Sequence, residues 1–310
     1  MKLTDVINTE YENCSPVSIL KNYSENDSAI FEKLRDEYET FLSKYAFKGY
    51  ELPCYLTWRQ SLHSHFSKDP WTSAHITQLS ILLKDYEEEN YFEYTGYFFS
   101  KIIDIHFENQ KKMMKNVSQE YTIVTNHLER NIASLCTENQ ANVIVDGNVG
   151  YHFCLGMKGG IVILKGNAGD YACDGMRNGI VRITGNTESR AGYYLKEGKI
   201  IIEGNTEYCT GEYAQGGVIH ILGNTSHNCG LRLDGGTILV EGNCGEQLGD
   251  CMKNGTITVN GKTEKNAGFL MKGGTINLNQ DKETIILADQ TENTGRIFAQ
   301  GKQIFPSEDE

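Results

Sequence analysis

From Gly147 to Asn279 the chain repeats one nineteen-residue unit seven times without insertion or deletion, and this strict period limits the fold more than any other feature of the sequence. A glycine opens each copy, at Gly147, Gly166, Gly185, Gly204, Gly223, Gly242 and Gly261, and a second glycine follows thirteen positions later, from Gly160 to Gly274. A unit this short cannot bury its own apolar face and gains a core only from its neighbours. Five residues follow the second glycine, and their second and fourth members are aliphatic in every copy, from Val162/Leu164 to Ile276/Leu278. Period two with β-branched residues marks a short strand with one face inward, because a helix needs a period near 3.6. Another apolar slot lies ten residues after the opening glycine, at Met157, Met176, Leu195, Ala214, Leu233, Met252 and Met271, and predicts a continuous internal column. Asparagine follows the opening glycine in six copies, and Lys262 stands there in the last. Glycine and asparagine accept positive φ at least cost, so both are read as turn residues, and stacked asparagines can form an amide ladder. Seven such coils make a parallel β-solenoid about 34 Å long with two open edges.

Composition places a boundary before the repeats, since only Gly49 and Gly96 of the 32 glycines precede residue 141. The expected architecture is therefore a two-domain α+β chain, with an α-helical bundle over 1–137 and the solenoid, a C-terminal cap and an acidic tail over 138–310. Ile30, Leu34, Tyr38, Phe41, Leu42 and Tyr45 have helical spacing. Tyr55 to Phe66 reads as a second helix, and Asp69-Pro70-Trp71 as the start of a third that runs to Tyr86. A fourth extends from Tyr91 to Met114, and Asn116 with Gln119 opens a fifth through Tyr121, Val124, Leu128, Ile132 and Leu135. Val143 and Val145 then form a half-rung, and the bundle is expected to cap its exposed edge. Arg296-Ile297-Phe298 and Thr284 to Leu287 are candidates for closing strands.

The chain has a formal net charge of −12 and no concentrated basic run, which argues against nucleic acid as a partner. The start, Met1-Lys2-Leu3-Thr4-Asp5, lacks the apolar core of a signal peptide, and no stretch is long enough and apolar enough to span a membrane. Nine cysteines without metal-binding spacing fit a reducing, cytoplasmic setting, and delivery into a host cell is compatible with it. Cys154 and Cys173 occupy one place in adjacent rungs, within disulfide range, and are read as small filling residues.

The copy running from Gly166-Asn167-Ala168-Gly169-Asp170-Tyr171 through Cys173, Gly175, Met176 and Gly179 resembles the repeat of the C-terminal GXGXG β-helix domain of the glutamate synthase large subunit. It is equally similar to the GXGXG-repeat subunit of formylmethanofuran dehydrogenase and to that of the related formyltransferase/hydrolase complex. The resemblance covers about residues 140–280 and implies a right-handed β-helix acting as a structural and assembly module. It carries no catalytic residue over.

No nucleophile elbow, phosphate loop or zinc motif is present. His63 and His65 near Cys54 point to different faces of a helix, and His75, His106 and His127 are expected at the surface or its boundary. Catalytic, cofactor-binding and metal-binding residues are therefore assigned as none, with no cofactor. The variable segment four to nine residues after the opening glycine holds the candidate interaction surface: Tyr151, Tyr171, Arg190, Tyr193, Tyr194, Tyr208, Tyr213 and Arg232. Tyrosines with an occasional arginine suit a protein interface, and residues that vary on a constant frame mark a solenoid's binding face. The leading expectation is a non-catalytic scaffold that docks a protein partner, with homo-oligomers allowed through the solenoid ends. The alternatives are a secreted bacterial effector that uses the solenoid as a binding module, and a carbohydrate-active β-helix enzyme using carboxylates among Asp170, Asp174, Glu188, Glu207, Glu212, Glu246 and Asp250.

Overall fold

A computed structural model of the chain describes residues 25–45, 72–83, 91–113, 120–128, 130–281 and 294–306. Ten parallel strands stack in sequence order as one sheet: β1 (Glu120–Val124), β2 (Asn142–Asp146), β3 (Ile161–Lys165), β4 (Ile180–Ile183), β5 (Lys199–Ile202), β6 (Gln215–Ile221), β7 (Gly235–Val240), β8 (Thr256–Val259), β9 (Thr275–Leu278) and β10 (Arg296–Ala299). An eleventh, β11 (Lys302–Phe305), closes the sheet antiparallel to β10. A second ladder of single bridges joins Ile132, Val149, Ala168, Thr187, Thr206, Thr225, Cys244 and Thr263 along the opposite side of the coil. The fold is a β-solenoid.

The paired aliphatic residues face the axis as their spacing requires, with Val162, Leu164, Val181, Ile183, Ile276 and Leu278 all buried. The column from Met157 to Met271 is buried at every turn. Between β2 and β9 the register advances nineteen residues per turn, as Val143 pairs with Val162 and Ile257 with Ile276. The solenoid nevertheless has nine turns, not seven, because Tyr121 pairs with Val143 after twenty-two residues and Ile276 with Ile297 after twenty-one. The expected half-rung at Val143 and Val145 is therefore an internal strand, and no fifth helix is present among the described residues. From Glu120 the described residues form β1 and the turns up to Thr137, with Tyr121 and Ile123 pointing inward.

Three helices are present among the described residues, α1 (Glu25–Tyr45), α2 (Ser73–Leu82) and α3 (Tyr91–Met113), so a five-helix bundle is not seen. The expected Tyr55–Phe66 helix lies outside the described residues. Leu34, Tyr38 and Phe41 of α1 are buried against Phe98 of α3, with the Tyr38 and Phe98 rings 4.9 Å apart. Helix α2 starts at Ser73 after Thr72, whose backbone N–H donates to Nδ1 of His75 at 3.0 Å, and not at Pro70.

The helices cover the first turn. A strand at the edge of a sheet leaves backbone groups unpaired. Here hydroxyls of α2 meet them: Thr77 donates to the Thr122 carbonyl at 2.7 Å, and Ser80 accepts from the Val124 N–H at 3.0 Å. On α3, Ser100 accepts from the Thr137 N–H at 3.0 Å. A Cβ on Gly96 would lie 1.9 Å from the Ala133 carbonyl oxygen, so one of the two early glycines is where helix and coil touch. His75 and His106 are buried rather than at the surface, and His106 Nδ1 lies 2.7 Å from the Tyr121 hydroxyl. Burial, followed by the Asp104 charge, pushes the Tyr121 phenol well above its ordinary value.

Candidate functional site

The corner four to nine residues past each opening glycine is built from an uncommon backbone. At the fifth, seventh and ninth positions φ is positive in each of the seven nineteen-residue copies, and most of these residues are not glycine. The N–H groups of these left-handed residues, two apart along the chain, point alternately to the next turn and the previous one. Tyr171 N–H donates to Ser189 of the next turn, Cys173 N–H to Phe153 of the previous one, and Gly175 N–H to Tyr193 of the next. The opening glycines play another part. Apart from Gly147 none has positive φ, and a Cβ on Gly185 would meet Asn167 Oδ1 at 2.3 Å and the Gly166 carbonyl oxygen at 2.6 Å. Those glycines serve close approach between turns, while the second glycines, such as Gly179 with φ 100°, supply the positive φ.

The asparagines after them are likewise not left-handed. Each carboxamide oxygen accepts the backbone N–H of its counterpart one turn on, from Asn148 with Asn167 at 2.8 Å to Asn243 with Lys262 at 2.8 Å. The ladder ends at Lys262, which has no side-chain acceptor.

Seven of the eight candidate surface residues come together on the corner. His152 stacks on Tyr171, and the Arg190 guanidinium lies 5.4 Å from the centre of that ring. Four positions further along the chain the arrangement recurs. Tyr194 and Tyr213 are stacked with an 8° interplanar angle, and Arg232 lies 5.4 Å from the Tyr213 ring centre and donates to its hydroxyl at 2.8 Å. Tyr193 bridges the two columns, meeting Tyr171, Tyr194 and Tyr213 edge to face. Arg190 Nε donates to the buried carboxylate of Glu212 at 3.0 Å, and this contact raises the guanidinium pKa further. Tyr151 extends the first column through His152. Tyr208, the eighth residue, stacks instead on His227 and is 49% exposed.

The sequence had marked the variable segment but not its left-handed backbone. Tyr171, Arg190, Tyr194, Tyr213 and Arg232 have φ between 50° and 61°. A bulky residue costs about 1 kcal/mol there relative to glycine. Asn228 and Asn266 take the place of Arg190 in other turns, and Gly156 and Gly175 that of Tyr213.

Glu188 and Glu207 share a repeat position in adjacent turns, but Asp174 and Asp250, the carboxyls that burial perturbs, are not paired. Burial pushes up the carboxyls of Asp174 and Asp250, with His152 opposing it at Asp174. They share one repeat position but are four turns apart, roughly 19 Å at the usual strand spacing. Glycosidase pairs stand about 5–9.5 Å apart, so these two cannot act on one bond. Cys136, Cys154 and Cys173 form a column of buried free thiols, and burial followed by neighbouring thiols pushes Cys154 well up. They are not bonded as a disulfide. Among the described residues no helix is long and apolar enough to cross a membrane, and no group of three histidine, cysteine or acidic side chains is placed to hold a metal ion.

A solenoid whose turns carry paired glycines, an inward aliphatic pair and a buried apolar column defines a GXGXG-type repeat protein. The profile of the GXGXG motif family matches residues 100–300, well over half of the chain, and the chain belongs to that family. This agrees with the resemblance to the C-terminal domain of the glutamate synthase large subunit. No curated protein matches the chain.

Proposed function

We propose that the chain is a non-catalytic interaction protein that docks a protein partner on the tyrosine–arginine corner of its solenoid. One observation carries this reading: two columns of stacked rings, each topped by an arginine, are held in register on a rigid frame at backbone positions where smaller residues would fold more cheaply. Tyrosine and arginine dominate the energetics of protein interfaces, and side chains fixed before binding lose less entropy on docking. Tyr194 at 37% exposed and Arg232 offer accessible surface, whereas Arg190 is already tied to Glu212.

In this reading the helical part is an N-terminal cap, and the division between the two parts falls before β1 rather than at residue 137. The coil is taken to be right-handed, as in the similar families. Affinity purification of the full chain from its native cell, beside a Tyr194→Ala/Tyr213→Ala/Arg232→Ala variant, tests the proposal. A discrete protein that is lost with the variant, and that binds the purified wild-type chain directly, supports it. Equal recovery by both forms refutes it.

A further inference from the structure

On the side of the coil away from the sheet, a groove of about 420 Å3 runs along the asparagine ladder past Asn148, Asn167, Asn186 and Asn205, with Glu188 and Glu207 on its border. The ladder fixes how the amides point. Since each oxygen accepts the next backbone N–H, the nitrogen is the group left to donate elsewhere. Nδ2 of Asn167 reaches back to Asn148, but those of Asn148, Asn186 and Asn205 donate to nothing among the described residues. Glu188 and Glu207 are exposed and have no ion pair among those residues. The groove thus sets neutral donors, unengaged at Asn148, Asn186 and Asn205, beside two carboxylate acceptors.

That inventory selects a ligand class. Two carboxylates without a cation repel phosphates and other anions. The floor, made of Val149, Ala168, Thr187 and Thr206, is too small and too polar-edged to hold a lipid or an aromatic ring. An extended peptide repeats about every 6.6–6.8 Å, two residues, and falls out of step with turns about 4.8 Å apart. Hydroxyl groups both accept from amides and donate to carboxylates. We propose that the groove binds a neutral, linear oligosaccharide lying along the solenoid axis, about one sugar ring per turn. The site is separate from the corner and does not depend on protein docking there.

Calorimetric titration of the full chain with cellodextrins and maltodextrins, each from disaccharide to hexasaccharide, tests the proposal. The expected result is that affinity in one series rises with length to about five units and then levels off, since five asparagines, Asn131 and the four of the ladder, line the groove. A Glu188→Ala/Glu207→Ala variant should weaken the best member by about tenfold or more, equivalent to roughly 1.4 kcal/mol, at unchanged melting temperature. Arg232→Asn, on the corner, should leave it unaltered. No binding at millimolar sugar in either series, affinity independent of length, indifference to loss of the two carboxylates, or tighter binding of a polyserine peptide of equal length would each overturn the assignment.

Discussion

Tyr213 and Arg232 keep φ at 56° and 54°, although glycine occupies the equivalent position in two other turns, at Gly156 and Gly175. For Tyr213 the backbone cost of about 1 kcal/mol is close to the 0.5–1.5 kcal/mol that an aromatic stack returns. Tyr213→Gly should therefore change folding stability by less than about 1 kcal/mol in chemical denaturation, where loss of an ordinary packed tyrosine would cost about 3 or more. Asp250 gives a pH-dependent prediction. One of its carboxylate oxygens is buried without a hydrogen-bond partner, and burial raises its pKa. The folded form then holds the proton more tightly than the unfolded one, so stability falls as pH rises from about 3.8 through the raised folded value. Asp250→Asn should raise the melting temperature at pH 7, and the gain should vanish below about pH 3.8, where both states are protonated. The identity of the corner residues was legible because they vary while the frame repeats. Their left-handed backbone was not, because it is imposed by hydrogen bonds to the turns above and below, which local sequence does not encode.

At the scale of elements, the stack depends on short polar devices at its first edge. Ser80→Ala would leave the Val124 N–H of β1 buried and unpaired, a loss of about 1–3 kcal/mol. Native-state hydrogen exchange at Val124 and its neighbours should rise accordingly, while β5 to β8 stay protected. Gly96→Ala would push a methyl group into the Ala133 carbonyl and should cost about 1–3 kcal/mol by denaturation. The seven nineteen-residue turns were legible from their constant period. The outer two were not, since twenty-two and twenty-one residues break that period. Asn116 with Gln119 resembles a helix start, and Tyr121, Val124, Leu128 and Ile132 continue the helical spacing. The signal for a strand was present in Tyr121 and Ile123, an inward pair two apart like Val143 and Val145, within a β-branched run. Tertiary pairing with β2 decided between the two readings. The two kinds of glycine look alike in sequence, yet one relieves contact between turns and the other permits positive φ.

For the whole molecule, the two ends of the sheet differ: α2 lies on β1, whereas the antiparallel β11 follows β10 with a register shift near Ile297 and is the last strand. An open edge strand is a template on which copies can pair, and the helices remove that template at β1. Removal of residues 1–113 should expose β1, and the remaining chain should self-associate in sedimentation velocity where the full chain keeps its own state. In the proposed reading the partner docks on the side of the coil, at the tyrosine–arginine corner. The most direct measurement is the affinity of the Tyr213→Gly/Arg232→Asn variant for the protein recovered with the wild-type chain, taken beside its melting temperature. Docking on the corner requires about a tenfold or greater loss of affinity, with the melting temperature held or raised. Undiminished affinity would contradict it, and so would a loss of affinity that only follows a fall in stability.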